Sequence, residues 1–129
     1  MDLYKFKAWN EKTKQLVDVV NISYKHNQIQ VEIITKKETW LEIWDVTPEI
    51  ILINSLGVYD KNSILLWIYD LIIGVDDPYS NEMPIIIHKR GLYYCLIYST
   101  GMVVSNWNPP DYEKVGNYFK DKHLLVKKI

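Results

Sequence analysis

The sequence contains few residues that can bind a metal or form a disulfide. Its 129 residues include one cysteine, Cys95, so the chain cannot close an intramolecular disulfide, and a reducing compartment is expected. The three histidines, His26, His88 and His123, lie far apart, and no pair has the spacing of a zinc site. We therefore predict no metal and no redox or other cofactor, and we expect Cys95 to be buried and unreactive among its apolar neighbours.

The chain also lacks an excess of charge of either sign and a long apolar run. Its 15 Lys and Arg residues balance 16 Asp and Glu residues and are spread along the chain, so nucleic acid is not the expected partner. The longest apolar stretch, residues 64–73, is interrupted by Asp70 and is too short to cross a bilayer. The first residues alternate charged and apolar side chains, unlike a secretory signal. A cytoplasmic location without membrane association is predicted.

Motifs for catalysis are missing as well. The sequence has no Gly-rich phosphate loop, no nucleophile elbow and no zinc-protease motif. The adjacent acidic pair Asp76-Asp77 precedes Pro78, which indicates a solvated turn rather than an acid/base pair. Cys95 and His88 are the one conceivable nucleophile and base, and nothing near them in the sequence suggests an oxyanion hole. We expect no catalytic residue and no enzymatic activity.

Alternation of apolar and polar residues predicts a mainly β fold with few short helices. The clearest example is Gln28–Ile33, where every second residue is apolar, as in a half-buried strand. After Val115 we expect a short strand and a terminal helical turn. Other runs of strand length are bounded by polar or Gly-containing turns: Leu3–Trp9, Leu16–Ile22, Trp40–Trp44, Ile50–Ile53, Ile85–His88, Tyr93–Ser99 and Met102–Trp107.

Two segments leave the local structure open. The β-branched and aromatic residues of 64–73 favour a strand, although Asn62 or Ser63 could cap a helix that Gly74 ends. Thr47-Pro48 interrupts the strand pattern, because proline disfavours a central strand.

No linker is long enough to separate two domains. We therefore predict a single domain, residues 1–129, with an N-terminal β-rich part over residues 1–48 and a barrel-like part over residues 49–129.

The remaining signal is the abundance of aromatic side chains with a polar atom. Ten Tyr and five Trp outnumber two Phe, which suits half-exposed positions and interfaces, while ordinary packing inside a sheet is the alternative. Ile85-Ile86-Ile87 cannot all face one side of a strand, so self-association as a dimer or larger ring is predicted. The candidate interface residues are Trp40, Trp44, Ile86, Tyr94, Tyr98 and Trp107.

Three separated segments together resemble the YopX family of phage and prophage proteins. Residues 4–10, Tyr-Lys-Phe-Lys-Ala-Trp-Asn, are similar to a basic-aromatic opening strand ending in Ala-Trp-Asp. Residues 56–63, Leu-Gly-Val-Tyr-Asp-Lys-Asn-Ser, resemble the turn Thr-Gly-Leu-x-Asp-x-Asn-Gly, and residues 66–72 resemble the following Ile-Tyr-Glu-Gly-Asp-Ile-Val. Residues 114–119, Lys-Val-Gly-Asn-Tyr-Phe, resemble the closing Val-Ile-Gly-Asn-x-Tyr.

The resemblance implies a β-rich fold with a portion of the SH3-like-barrel type and an oligomeric assembly. It implies phage or prophage origin and no particular reaction. Ser63 and Tyr69 stand where the family prefers Gly, and Ile68 stands where it has an acid. The resemblance marks a set of residues as structural: Phe6, Ala8, Trp9, Gly57, Asp60, Asn62, Asp70, Gly116 and Asn117.

Taken together, these features predict a non-enzymatic phage or prophage accessory protein in the cytoplasm of a bacterial host. Its expected role is that of a homo-oligomeric module that binds a host or phage protein. The alternative is a nucleic-acid-binding β-barrel that uses aromatic residues and a local Lys patch. A small-molecule binder or an enzyme is the least favoured class.

Overall fold

A computed structural model describes residues 6–77, 83–91 and 93–125. In that part the chain forms antiparallel β-strands and two short 3₁₀ helices. The predicted fold class, a mainly β protein with few short helices, is therefore confirmed. The part of the predicted strand Leu3–Trp9 that precedes Phe6 lies outside the described residues.

The chain divides into two compact units, residues 1–54 and 55–129. The sequence placed the division after residue 48, at the break made by Pro48. The structural boundary lies later, inside a long strand, because the first residues of that strand pair with the N-terminal strand of the first unit. That the two units make up a single domain stays a prediction.

The first unit is an antiparallel sheet with its core on one face. Its strands are β1 (Phe6–Asn10), β2 (Gln15–Ser23), β3 (Gln28–Ile34), β4 (Thr39–Asp45) and the first half of β5 (Ile50–Tyr59). They lie in the order β4-β3-β2-β1-β5. The alternation predicted for β3 is observed, since Ile29, Val31 and Ile33 are buried and pack with Ala8 and Val19.

The second unit has one core to which each of its strands contributes. The strands that follow β5 are β6 (Leu65–Trp67), β7 (Asp70–Gly74), β8 (Ile85–Arg90), β9 (Tyr93–Ile97), β10 (Val103–Val104) and β11 (Tyr112–Asn117). Five of them form a sheet in the order β10-β9-β8-β7-β11. The core contains Leu66, Ile72, Ile85, Ile87, Leu96 and Tyr98, with Leu56, Val104, Trp107 and Tyr112 packed against it. That this unit is a small barrel stays a prediction.

Residues 64–73 are neither a continuous strand nor a helix. The chain turns at Ile68 and Tyr69, between β6 and β7, and Tyr69 has a φ of 69°. The turn has no Gly, Pro, Asn or Asp at its centre, so its sequence carries no turn signal. Its conformation is held by tertiary contacts: the Tyr69 N–H donates to the Ile87 carbonyl at 2.8 Å, and the Tyr118 N–H donates to the Tyr69 carbonyl at 2.8 Å.

Two further strand predictions differ from the structure in length. The strand expected over Met102–Trp107 is limited to Val103–Val104, and Trp107 instead donates its indole N–H to the carbonyl of Tyr94 at 3.1 Å. Near the C-terminus, the predicted strand begins at Tyr112 and the helical turn is a 3₁₀ helix, Lys122–Leu125.

Candidate functional site

The turn within residues 56–63 is organised by the carboxylate of Asp60, which accepts hydrogen bonds from three backbone N–H groups. Asp60 is buried, and its Oδ1 accepts hydrogen bonds from the N–H groups of Asn62 (2.8 Å) and Ile64 (2.9 Å). Its Oδ2 accepts a bond from the N–H of Lys114 at 2.9 Å. Burial raises the pKa of Asp60, but the N–H groups of Lys114, Ile64 and Asn62 together lower the pKa below its ordinary value. The carboxylate thus joins the turn before β6 to β11.

Asp70 performs the same role at the start of β7. It is buried, its Oδ2 accepts a bond from the Trp67 N–H at 2.8 Å, and the same oxygen lies 3.2 Å from the Lys114 Nζ. Lys114 therefore contacts both motif aspartates, Asp60 through its backbone and Asp70 through its side chain.

The closing motif lies beside Asp70 in the sheet. Asn117 is paired with Asp70 and Gly116 with Leu71 in the register of β11 and β7. The Asn117 side-chain oxygen accepts bonds from the backbone N–H groups of the two residues Phe119 and Lys120, and the backbone N–H of Asn117 donates to Asp121 Oδ2 at 2.8 Å. A Cβ on Gly116 would lie 2.8 Å from that same oxygen. Residues 56–72 and residues 114–119, the second and third segments of the resemblance, are thus neighbours in space, and their side chains bind backbone groups.

The remaining motif residues also have structural positions. Ala8 and Trp9 are buried, and Phe6 packs against the core of the first unit. Gly57 has a φ of 72°, which favours glycine. Asn62 is exposed, and its side-chain amide donates to Glu113 Oε1 at 3.3 Å. In the described part of the chain, the nine residues that the resemblance marks as structural therefore form turns, pair between strands or pack in a core.

Four of the six candidate interface residues lie in the second unit and are largely committed to its interior. Tyr98 is buried and Trp107 packs against the core, so neither is a free surface residue. Burial and the hydrogen bond from the Tyr98 hydroxyl to Asp77 Oδ2, 2.6 Å long, raise the pKa of Tyr98. Tyr94 and Ile86 are half-buried. The core alternative therefore applies to Tyr98 and Trp107, because the strands on which they were predicted end before them, at Ile97 and at Val104.

The other two candidates, Trp40 and Trp44, flank Glu42 on strand β4. The Trp40 indole N–H donates to Glu42 Oε2 at 2.7 Å, and the Trp44 indole N–H donates to Glu42 Oε1 at 3.0 Å. Both bonds lower the pKa of Glu42, and the bond from Trp44 has the larger effect. Trp44 packs against the core of the first unit, whereas Trp40 is 37% exposed. One carboxylate thereby holds two indoles on the same side of the strand.

The opposite side of β4 exposes apolar side chains. Leu41 is 52% exposed and Ile43 is 65% exposed, and Ile34 on the neighbouring β3 is 64% exposed. Register pairs Leu41 with Glu32 and Ile43 with Gln30, so these side chains share the face that points away from the core. An apolar row on the outer face of an edge strand is a feature that soluble proteins generally avoid.

The backbone of β4 has an open side. In the described residues β4 pairs with β3 alone and ends the sheet. Both ends of the β3–β4 pairing show which residues face β3: Thr35 N–H donates to the Glu38 carbonyl, and Val46 N–H donates to the Asn27 carbonyl, both at 2.9 Å. Because bonded and non-bonded pairs alternate in an antiparallel ladder, Leu41 and Ile43 fall in non-bonded pairs and direct their N–H and C=O outward.

The sequence reasoning identified Trp40 and Trp44 on this strand but missed Leu41 and Ile43. A signal was present: residues 39–45, Thr-Trp-Leu-Glu-Ile-Trp-Asp, carry apolar side chains on both faces of a strand, which a strand covered on one face does not need. The exposure of one face depends on whether another layer packs over it, and the open backbone depends on the position of β4 at the edge; the sequence alone indicated neither.

Other predicted features can be compared with the described residues. Cys95 is buried, as predicted. Within the described ranges, no three His, Cys, Asp or Glu side chains come together as a group able to hold a metal. No helix in the described part of the chain has the length and apolarity needed to cross a membrane.

Comparison with known proteins supports the fold and goes no further. No family model matches the chain, and no curated protein matches it. Among solved structures, the chain is similar to the crystal structure of protein EF1440 from Enterococcus faecalis, with a TM-score of 0.60 and 18% sequence identity. The likeness covers 95% of this chain and 97% of that chain. At this identity it shows the fold alone.

Proposed function

We propose that this chain is a non-enzymatic protein-binding module whose strand β4 accepts a strand from another polypeptide. The observation that carries the proposal is the edge of β4, where Leu41 and Ile43 combine exposed apolar side chains with outward-directed backbone groups. A partner strand would satisfy those backbone groups and place its own apolar side chains beside the apolar row in one step, as in binding by strand addition.

The kind of partner follows from the chemistry of the edge and from the family resemblance. The outer row is apolar and carries no charge at positions 41 and 43, so it suits an extended segment with apolar residues at every second position. The resemblance to the YopX family supports a phage or prophage accessory role in the cytoplasm of a bacterial host. On this proposal the module is homo-oligomeric and acts on a host or phage protein, and a second copy of the chain is among the polypeptides that the edge can accept.

A capture experiment with an edge variant tests the proposal. Leu41→Lys introduces a charge into the apolar row, and Val75→Lys is the matched control, because Val75 is 54% exposed and Leu41 is 52% exposed. We expect the tagged wild-type chain and Val75→Lys to capture the same proteins from bacterial lysate with or without nuclease, and Leu41→Lys to lose them. Equal capture by Leu41→Lys would show that the β4 edge is not the binding site.

One observation favours the alternative, nucleic-acid binding. At the end of the β8–β9 hairpin, register pairs Arg90 with Tyr93, and Tyr93 is 72% exposed, so a cation and an aromatic ring share a face. Stacking of a base on such a ring, beside a cation, is a common element of single-strand binding. Capture that disappears after nuclease treatment, together with a steep loss of affinity with salt, would favour this alternative over the β4 edge.

A further inference from the structure

We infer that the strand accepted by the β4 edge is β4 of a second copy, paired antiparallel with Leu41 opposite Leu41 on the two-fold axis. This inference rests on the proposed function, because it names the occupant of the same edge. It concerns the outward backbone groups of residues 39, 41, 43 and 45, which alternate with the residues bonded to β3.

The hydrogen-bonding pattern limits the possible registers. Two copies of β4 related by a two-fold axis can bond only if outward-facing residues lie opposite outward-facing residues. Three central registers meet this condition within Thr39–Asp45: they are centred on Leu41, on Glu42 or on Ile43. The side chains that each register brings together then decide among the three, because cross-strand neighbours stabilise or destabilise a sheet.

The register centred on Leu41 matches every acid of the strand with a suitable neighbour. On the outer face, Leu41 meets Leu41 of the second copy and Ile43 meets Thr39. At the ends of the paired segment, Asp45 comes opposite Lys37 in the turn that precedes β4 of the second copy. On the other face Glu42 comes opposite Trp40, whose indole N–H already donates to a Glu42 oxygen within its own chain.

The other two registers are poorer. With Glu42 at the centre, two Glu42 carboxylates lie directly opposite each other, and like charges in that position destabilise a sheet. With Ile43 at the centre, each Leu41 lies opposite an Asp45 carboxylate. The carboxylate then loses water without gaining a hydrogen-bond partner, which destabilises the pairing. Charge complementarity therefore selects Leu41 as the centre, and a strand that complements itself in this way, Asp45 against Lys37 at both ends, supports a second copy as the occupant.

Single cysteines on the outer row provide a direct test of this register. In the wild-type chain the one thiol, Cys95, is buried and serves as the background. Opposite residues of a bonded pair have Cα atoms about 5.5 Å apart, within the range of a disulfide. We expect Leu41→Cys to form a covalent dimer under mild oxidation. Ile43→Cys is the matched control, because two Ile43 residues would be about 13 Å apart along the strand.

A charge exchange tests the same register without a cross-link. Asp45→Lys, and separately the pair Lys36→Glu and Lys37→Glu, each place like charges together and should raise the dimer Kd about tenfold. The triple variant should restore the wild-type Kd, measured by sedimentation over a concentration series. If Asp45→Lys weakened the dimer only by damaging the fold, adding the two Lys→Glu substitutions would not restore the Kd.

The outcomes separate the inference from the proposed function. Faster cross-linking of Ile43→Cys than of Leu41→Cys would overturn the Leu41 register. A wild-type chain that stays monomeric at every concentration, with neither variant cross-linked, would overturn the second copy as occupant. In that case the loss or retention of captured proteins in Leu41→Lys would still decide whether the edge binds a different polypeptide.

Discussion

The two units of the chain use their acidic side chains differently. In the second unit, the carboxylates of Asp60, Asp70 and Asp121 accept hydrogen bonds from backbone N–H groups. Asp60 and Asp70 also bind Lys114 of β11, which is distant from them in sequence. In the first unit, Glu42 and Asp45 accept bonds from side chains at the surface of an edge hairpin. These three acids of the second unit thus maintain its backbone structure, whereas Glu42 and Asp45 position side chains at the surface of the first unit.

The largest expected loss of stability follows from replacing Asp70 in the second unit. Asp70→Ala removes the acceptor of the Trp67 N–H and the partner of the Lys114 ammonium, and it should lower the free energy of unfolding by about 3 kcal/mol. Urea denaturation at neutral pH measures the change. The control is Asp76→Ala in an exposed turn, which should be close to wild type. A similar, small effect for both variants would contradict the assigned role of Asp70.

Replacement of Asp60 should cost less and should depend on pH. Asp60→Asn keeps one carbonyl acceptor but loses the charge that three N–H groups share, and it should cost about 2 kcal/mol at pH 7. Because the pKa of Asp60 is lowered from 3.8, its contribution is complete above that value and is lost as the pH falls through the lower folded-state pKa. The stability difference between wild type and Asp60→Asn should therefore shrink in strong acid, and a constant difference at all pH values would count against this account.

A smaller effect, in the stabilising direction, is expected at Ser63. Ser63 has a φ of 61° and is exposed, so Ser63→Gly relieves a left-handed conformation and should raise stability by about 0.5 kcal/mol. Lys12→Gly, in another exposed turn without positive φ, should instead be destabilising. Thermal unfolding of both variants measures the pair of shifts. Stabilisation by Lys12→Gly, or destabilisation by Ser63→Gly, would show that backbone conformation does not determine the effect.

The smallest effect is expected at Glu42, in the first unit. Glu42→Gln removes the charge between two indoles at the surface but leaves the β3–β4 register and the buried residues of β3 unchanged. We expect no measurable loss of stability and a change in the fluorescence of Trp40 and Trp44. A loss comparable to that of Asp60→Asn would remove the contrast between the two units.

Sequence patterns predicted the fold where side-chain burial follows chain order. Strand β3 was recognised because Ile29, Val31 and Ile33 alternate with polar residues and face one core. The turn between β6 and β7 was missed because Tyr69 adopts a positive φ that only its surroundings stabilise. Those surroundings are the Ile87 carbonyl, the Tyr118 N–H and the rings of His88 and Phe119. All of them come from other parts of the sequence.

The candidate site was predicted in part, for a related physical reason. An apolar residue on a strand has the same sequence signature whether a neighbouring strand covers it or not. Trp40 was identified for its residue type, and so were Tyr98, which is part of the core, and Trp107, which packs against it. Leu41 and Ile43 became candidates only when the strand order placed β4 at the end of its sheet. Edge position is a property of topology, which local patterns do not contain.

Amide hydrogen exchange at single-residue resolution tests the central claim, that β4 presents an open edge which another strand closes. At low concentration, the Trp40 and Glu42 amides should exchange slowly because they bond to β3, and the Leu41 and Ile43 amides should exchange rapidly. At high concentration, or with a bound partner, the Leu41 and Ile43 amides should become protected while Trp40 and Glu42 change little. Protection of Leu41 and Ile43 that is already complete in the isolated chain, or that never changes, would contradict the account.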